Sequence, residues 1–186
     1  MFARTPRLLL RPGFPEDAPA LAAAIGDEQV IRNLGRVPWP YSLGDAHSFL
    51  NAPANPYLPS CLITERTAGE PLLVGGCGLH RRASGAVELG YWIARPHWDR
   101  GLAPEAATAI IGMARALRLS AIEAGHFLDN PASGRVLEKL GFRSTGVIAP
   151  RFCLGRGEEV SSRFYRLPLG ASSPVAERPP AEVLAA

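Results

Sequence analysis

Trp98-Asp99-Arg100-Gly101-Leu102-Ala103 lies between a strand-like run, Val87 to Ile93, and a helix-like run, Pro104 to Leu117. A strand that ends in a tight glycine turn and then opens a helix aims several backbone N–H groups at one point. The helix dipole adds partial positive charge there, so such a turn can hold a phosphate. A cofactor with a pyrophosphate is therefore the first expectation. Spacing removes two common versions of this turn. A P-loop needs Gly-x4-Gly-Lys-Ser/Thr, and the sole lysine, Lys139, is far away. A dinucleotide-binding turn needs G-x-G-x-x-G, and Gly101 stands alone.

The surroundings carry the reading further. Glu88-Leu89-Gly90-Tyr91-Trp92 precedes the turn and Pro104-Glu105-Ala106 continues it. Asp129-Asn130-Pro131-Ala132-Ser133 follows, then Val136-Leu137-Glu138-Lys139-Leu140-Gly141-Phe142. With Thr5 to Pro12 as a first strand, this succession resembles the GNAT superfamily of N-acetyltransferases across roughly residues 5 to 168. The turn matches that family's acetyl-CoA loop, Gln/Arg-x-x-Gly-x-Gly/Ala, with Trp98 in the first position as in the RimJ/RimL-like branch.

Composition agrees with one globular enzyme-sized unit. At 186 residues one domain is the default, and 47% hydrophobic content suffices for a packed core. Net charge is +3 with scattered arginines, which gives no clustered basic face for nucleic acid. Cys61, Cys77 and Cys153 are odd in number and lack C-x-x-C spacing, so neither a disulfide framework nor a metal site is expected. The apolar run Leu8 to Leu10 is too short to span a membrane. These features point to a soluble cytoplasmic protein, monomer or homodimer, with residues 1–169 folded and 170–186 a flexible Pro/Ala-rich tail.

Periodicity supplies the elements. Residues 7–12 read as a strand and Phe14-Pro15-Glu16-Asp17 starts a helix. Val30, Ile31 and Leu34 suggest a short second helix ended by Gly35. Ser42 with Asp45 opens a helix to about Asn51. Cys61 to Arg66, Leu72 to His80 and Ala86 to Ile93 form an antiparallel meander. After the long helix from Pro104, Ala121 to Leu128 is a strand. Asn130, Pro131 and Gly141 frame the next helix, and Phe142 to Phe152 and Val160 to Leu167 are the last strands. The fold class is a mixed, mostly antiparallel α/β sheet flanked by helices. The family resemblance adds that a central strand pair splays apart and that the cofactor's pantetheine arm lies in the gap.

The resemblance also assigns roles. Trp98, Asp99, Arg100, Gly101, Leu102 and Ala103 hold the pyrophosphate of acetyl-CoA, and Trp92, Ile93 and Ala94 supply strand donors to the thioester. Asn130 reads as a helix cap or as a cap that also bonds pantetheine; Ser133, one turn on, can face the same groove. Arg100 and Arg135 read as phosphate partners or as solvated side chains. Pro104 suits the first helical position, and Glu105 is expected to point away from the phosphates. Alternation puts Glu88 on one face with Gly90 and Trp92, where it is either the general base, directly or through water, or a structural ion pair. The family's thiolate-protonating Tyr falls at Leu137, so Tyr91, Ser133 or water must substitute. The four histidines read as packing or surface residues; Trp39, Tyr41 and Phe152 read as packing or as an acceptor pocket. The function implied is acetyl transfer from acetyl-CoA to a primary amine, with a protein N-terminal α-amine favoured by the branch. A non-catalytic acyl-CoA sensor is the alternative.

Overall fold

The computed structural model describes residues 1–53 and 55–170. In chain order these contain β1 (Ala3–Arg4), β2 (Leu8–Arg11), α1 (Ala18–Ile25), α2 (Glu28–Ile31), α3 (Leu43–Asn51), β3 (Ser60–Glu65), β4 (Leu72–Arg81) and β5 (Val87–Ile93). Then follow α4 (Leu102–Ala116), β6 (Ala121–Phe127), α5 (Pro131–Lys139), β7 (Arg143–Cys153) and β8 (Glu158–Pro168). The strands form one sheet in the order β1-β2-β3-β4-β5-β6-β8-β7. Neighbours are antiparallel except β5 and β6, which run parallel. The mixed, mostly antiparallel α/β sheet is thus the observed architecture. The expected tail, from residue 171 on, lies outside the described residues.

Local chemistry explains several boundaries. Ser42 and Asp45 form a capping box that starts α3. The Asn130 side chain accepts from the Ser133 N–H, Pro131 takes the first position of α5, and Gly141 turns away at φ 87°. Two starts differ from expectation. Pro15 to Asp17 make a 3-10 turn, and α1 begins only at Ala18. Helix α4 begins at Leu102, so Pro104 is its third residue rather than its first. Its missing N–H still falls in the first turn, where no intrahelical partner is needed.

Strand alternation divides the core into two layers. Leu8, Leu10, Ile63, Leu79, Leu89 and Ile93 face α4 and α5, where they pack with Ile110 and Leu137. On the opposite face Leu62 and Leu73 pack with Leu21, Ile25 and Ile31 beneath α1, α2 and α3. The parallel pair β5–β6 shares a single register position, Glu88 with Glu123. Beyond it β5 stays with β4 while all seven residues of β6 pair with β8. The sheet therefore parts just where β5 heads for the Trp98–Ala103 turn.

Candidate active site

Hydrogen-bond alternation determines what β5 offers to the gap. Ala94 donates its N–H to the Val74 carbonyl, and Arg82 donates to the Ala86 carbonyl. In this register the even-numbered residues of β5 direct both backbone groups at β4, and the odd-numbered ones turn theirs away. Tyr91 and Ile93 thus present backbone groups to the side that β6 has left. The Trp98 indole donates to the Ile93 carbonyl at 2.7 Å, which leaves the Ile93 N–H facing the gap. Trp92 and Ala94, expected as donors, are not brought there. Trp92 is bonded to β4 and lays its indole over Gly76, and the Ala94 N–H is already used.

The turn itself is strongly bent. Asp99 and Gly101 have φ of 58° and 71°. Gly101 is the N-cap of the 15-residue α4 and has no side chain to cover the N–H groups of Leu102 and Ala103. The Arg100 side chain is turned to Glu65 and to His97 Nδ1, so only its backbone N–H is available to the turn. Glu105 accepts from the Arg7 N–H at 3.0 Å and pairs with the Arg7 guanidinium. Arg135 is exposed on α5.

Across the gap on the α4–α5 face, the Tyr91 hydroxyl meets the Ser133 hydroxyl at 2.8 Å and donates toward the Ser133 carbonyl at 3.1 Å. A β5 phenol and an α5 serine thus bridge the opening. Burial pushes the Tyr91 phenol up from its ordinary value near 10. Asn130 holds its carbonyl oxygen toward the Ser133 N–H at 3.3 Å, so its role as a cap is occupied and its amide NH2 is left over. Leu137 is 1% exposed within the core.

Glu88 is on the other face and only 4% exposed. Arg151 Nη1, from β7, lies 2.7 Å from its Oε1. Arg82 Nε and His80 Nε2 lie 3.4 and 3.6 Å from its Oε2. Burial raises the carboxyl's affinity for a proton, but His80 and Arg151 together outweigh it and hold the titration down to about 2. Both guanidiniums also lie over the Phe164 ring, at 5.0 and 5.3 Å. Arg151 Nη2 is buried without a hydrogen-bond partner. It borders a pocket of about 30 Å³ lined by Asn33, Gly125, Phe127 and Ser162.

The sequence reading did not find His80, Arg82 and Arg151 around Glu88. Only His80 had a local signal, as the residue opposite Glu88 in a hairpin with a short turn. Of the aromatic candidates, Tyr41 packs against the α1–α3 core, while Trp39 is 42% exposed. Arg151 points at Glu88, so alternation sends Phe152 to the opposite face, away from that cluster. Among the described residues no three His, Cys, Asp or Glu side chains are grouped to hold a metal ion. No described helix is long and apolar enough to cross a membrane.

Comparison with known proteins agrees with this geometry. Residues 7–143 match the acetyltransferase (GNAT) domain family. The N-acetyltransferase YoaA of Bacillus subtilis is 34% identical over 151 residues, 77% of this chain and 84% of YoaA. A crystal structure of a GNAT-family acetyltransferase from Bacillus anthracis superposes with a TM-score of 0.75 at 25% identity, covering 91% of this chain and 99% of that one. RimL, a ribosomal L7/L12 α-N-protein acetyltransferase solved with coenzyme A, shares the fold at TM-score 0.73 and 17% identity, over 90% and 98% of the chains. The chain belongs to the GNAT family and is an acetyltransferase of that type.

Proposed function

We propose that the protein moves an acetyl group from acetyl-CoA to a primary amine by direct attack within a ternary complex. The observation that carries this is the parting of β5 from β6 after Glu88, followed at once by the left-handed Asp99–Gly101 turn and the α4 N-terminus. Residues 98–103 hold the pyrophosphate through backbone N–H groups, with Leu102 and Ala103 adding the helix dipole. The pantetheine arm lies in the gap, where the Tyr91 and Ile93 backbone groups orient it and the thioester, aided by the Asn130 amide. Arg135 is free to reach a phosphate. Departure of the thiolate is served by the Tyr91–Ser133 couple or by solvent, because a thiol's ordinary pKa of about 8.5 makes the thiolate a fair leaving group. Glu88 organises proton removal on the opposite face, through water or a neighbour, since its ion pairs make it a weak direct base.

Trp98 in the loop's first position supports the RimJ/RimL-like branch and with it a protein N-terminal α-amine as acceptor. An α-amine titrates near 8 and a lysine near 10.4, so an α-amine asks less of a base. Three free buried thiols, two of them register partners in β3 and β4, suit a reducing cytoplasm. The decisive experiment is calorimetry with acetyl-CoA alongside free-CoA release on peptide and small-amine mixtures. Binding with turnover supports the proposal. Leu137 at the family's acid position and the locked Glu88 favour the second reading, an acyl-CoA sensor, and binding with no turnover on any amine would select it.

A further inference from the structure

We propose that His80 is the group that takes the proton from the attacking amine, and that Glu88 acts through it as a positioning residue. This rests on the acetyl-transfer reading above. His80 and Glu88 are register partners in β4 and β5, so both side chains lie on the α1–α3 face. Nε2 of His80 is 3.6 Å from Oε2 of Glu88, too long for a hydrogen bond and within ion-pair reach. The other edge of the ring leans over Gly90. A Cβ built there would lie 3.8 Å from Cε1 and 3.9 Å from Nδ1. Gly90 directly precedes Tyr91, whose backbone faces the gap, and a glycine leaves that edge of the ring uncovered. The His80 side chain is 34% exposed and that of Glu88 is 5% exposed. So Nε2 is the nitrogen on the Glu88 side of the ring, and Nδ1 is the nitrogen on the Gly90 side.

Glu88 itself is badly placed to carry a proton. Protonating it would leave the Arg151 and Arg82 guanidiniums facing a neutral acid in a buried setting. An imidazole is the side chain whose ordinary titration falls closest to neutrality. The charged groups around His80 are Glu88 on β5, Arg82 on its own strand, Arg151 from β7 and, through Arg82 at 3.5 Å, Glu123 on β6. Their charges sum to zero, so an imidazolium formed there is met by the Glu88 carboxylate and not by a net positive field. In the step, the amine nitrogen attacks the acetyl carbonyl carbon and a C–N bond forms. Nδ1 of His80 accepts the nitrogen's proton, directly or through one water. The C–S bond breaks with its electron pair on sulfur, and the thiolate takes a proton from the Tyr91–Ser133 couple or solvent. His80 then returns its proton to solvent.

The test is CoA release by wild type, His80→Gln, His80→Ala and Glu88→Gln with tripeptides bearing free Ser, Ala or Met N-termini and with small primary amines. Rates are taken from about pH 6 to about pH 10, spanning imidazole and amine ionisation, with acetyl-CoA affinity by calorimetry. His80→Gln is expected to lower kcat by about 10² or more and to abolish the acidic limb of kcat, with acetyl-CoA affinity unchanged. Added imidazole is expected to restore part of the rate to His80→Ala, which a purely structural role would not allow. Glu88→Gln is expected to lower both kcat and Tm. An active wild type whose His80→Gln variant keeps its kcat and acidic limb overturns this assignment alone. A wild type that binds acetyl-CoA yet acetylates no amine in the panel overturns the transfer reading and this one with it.

Discussion

Gly101→Asp tests the phosphate-holding turn most directly, because its effects on folding and on binding separate. Gly101 sits at φ 71°, a conformation that costs a residue with a Cβ about 1 kcal/mol. Space is not the obstacle: a Cβ there would meet only Arg7 Nη2, at 3.6 Å. That strain alone lowers Tm by about 2–4 °C, so the fold survives. Binding suffers differently. The carboxylate would stand where the pyrophosphate charge belongs. Two unit charges about 5 Å apart at an effective dielectric of about 20 repel by about 3 kcal/mol. Arg7, beside the new carboxylate, and salt both reduce this. A loss of at least about 1.4 kcal/mol, tenfold in acetyl-CoA affinity, remains. Gly101→Ala is the control, with the same backbone strain and no charge; it should share the Tm drop and bind severalfold more tightly than Gly101→Asp. Calorimetric titration reads the affinity and thermal melting reads the fold. Wild-type acetyl-CoA affinity in Gly101→Asp, with the Tm drop present, would refute this turn as the phosphate site.

Three further outcomes are expected. The Glu88 carboxyl is held down to about 2 from an ordinary 4.5, so its stabilising contribution is complete above about pH 4.5 and disappears as pH falls toward 2. Glu88→Gln should therefore melt several degrees below wild type at neutral pH, with the gap closing over that acidic window; a gap that ignores pH would locate the effect elsewhere. Tyr91→Phe removes the hydroxyl that meets Ser133. A fall in kcat of more than tenfold with acetyl-CoA binding intact assigns the Tyr91 hydroxyl to thiolate protonation, and an unchanged kcat leaves that proton to Ser133 or solvent. A silent alkaline limb cannot decide this, because burial already pushes the phenol above its ordinary range. Leu137→Tyr forces a larger polar group into a site 1% exposed and should cost about 1–3 kcal/mol with no gain in kcat; a faster, stable variant contradicts that packing.

What the sequence disclosed follows the range of the interactions involved. Ser42 with Asp45, and Asn130-Pro131 with Gly141, set helix ends through contacts a few residues apart, so these were legible. The alternation that places Glu88, Gly90 and Trp92 together is equally local. The start of α4 was not, because a residue before proline resists the helical region, and here Leu102 and Ala103 adopt it under core packing. The partners of Glu88 and Tyr91 were hidden for another reason. Arg151 is 63 residues from Glu88 and comes to it through the strand order β5-β6-β8-β7, while Ser133 is 42 residues from Tyr91 and comes to it through the packing of α5 on the sheet. The choice between Trp92 and Ile93 as gap-facing donors needed the hydrogen-bond phase of β4 against β5, which side-chain patterning does not encode.

That phase has a consequence for amide exchange. Along β5 and its exit, the Gly90, Trp92 and Ala94 amides are tied to β4, while those of Tyr91 and Ile93 look into the gap. Without cofactor, deuterium uptake along this one strand should alternate residue by residue between slow and fast, a comb rather than a gradient fraying from one end. Acetyl-CoA should fill in only the fast teeth. The slow teeth report the integrity of the sheet in the same spectrum, so binding and loosening of the fold are separable from five consecutive amides.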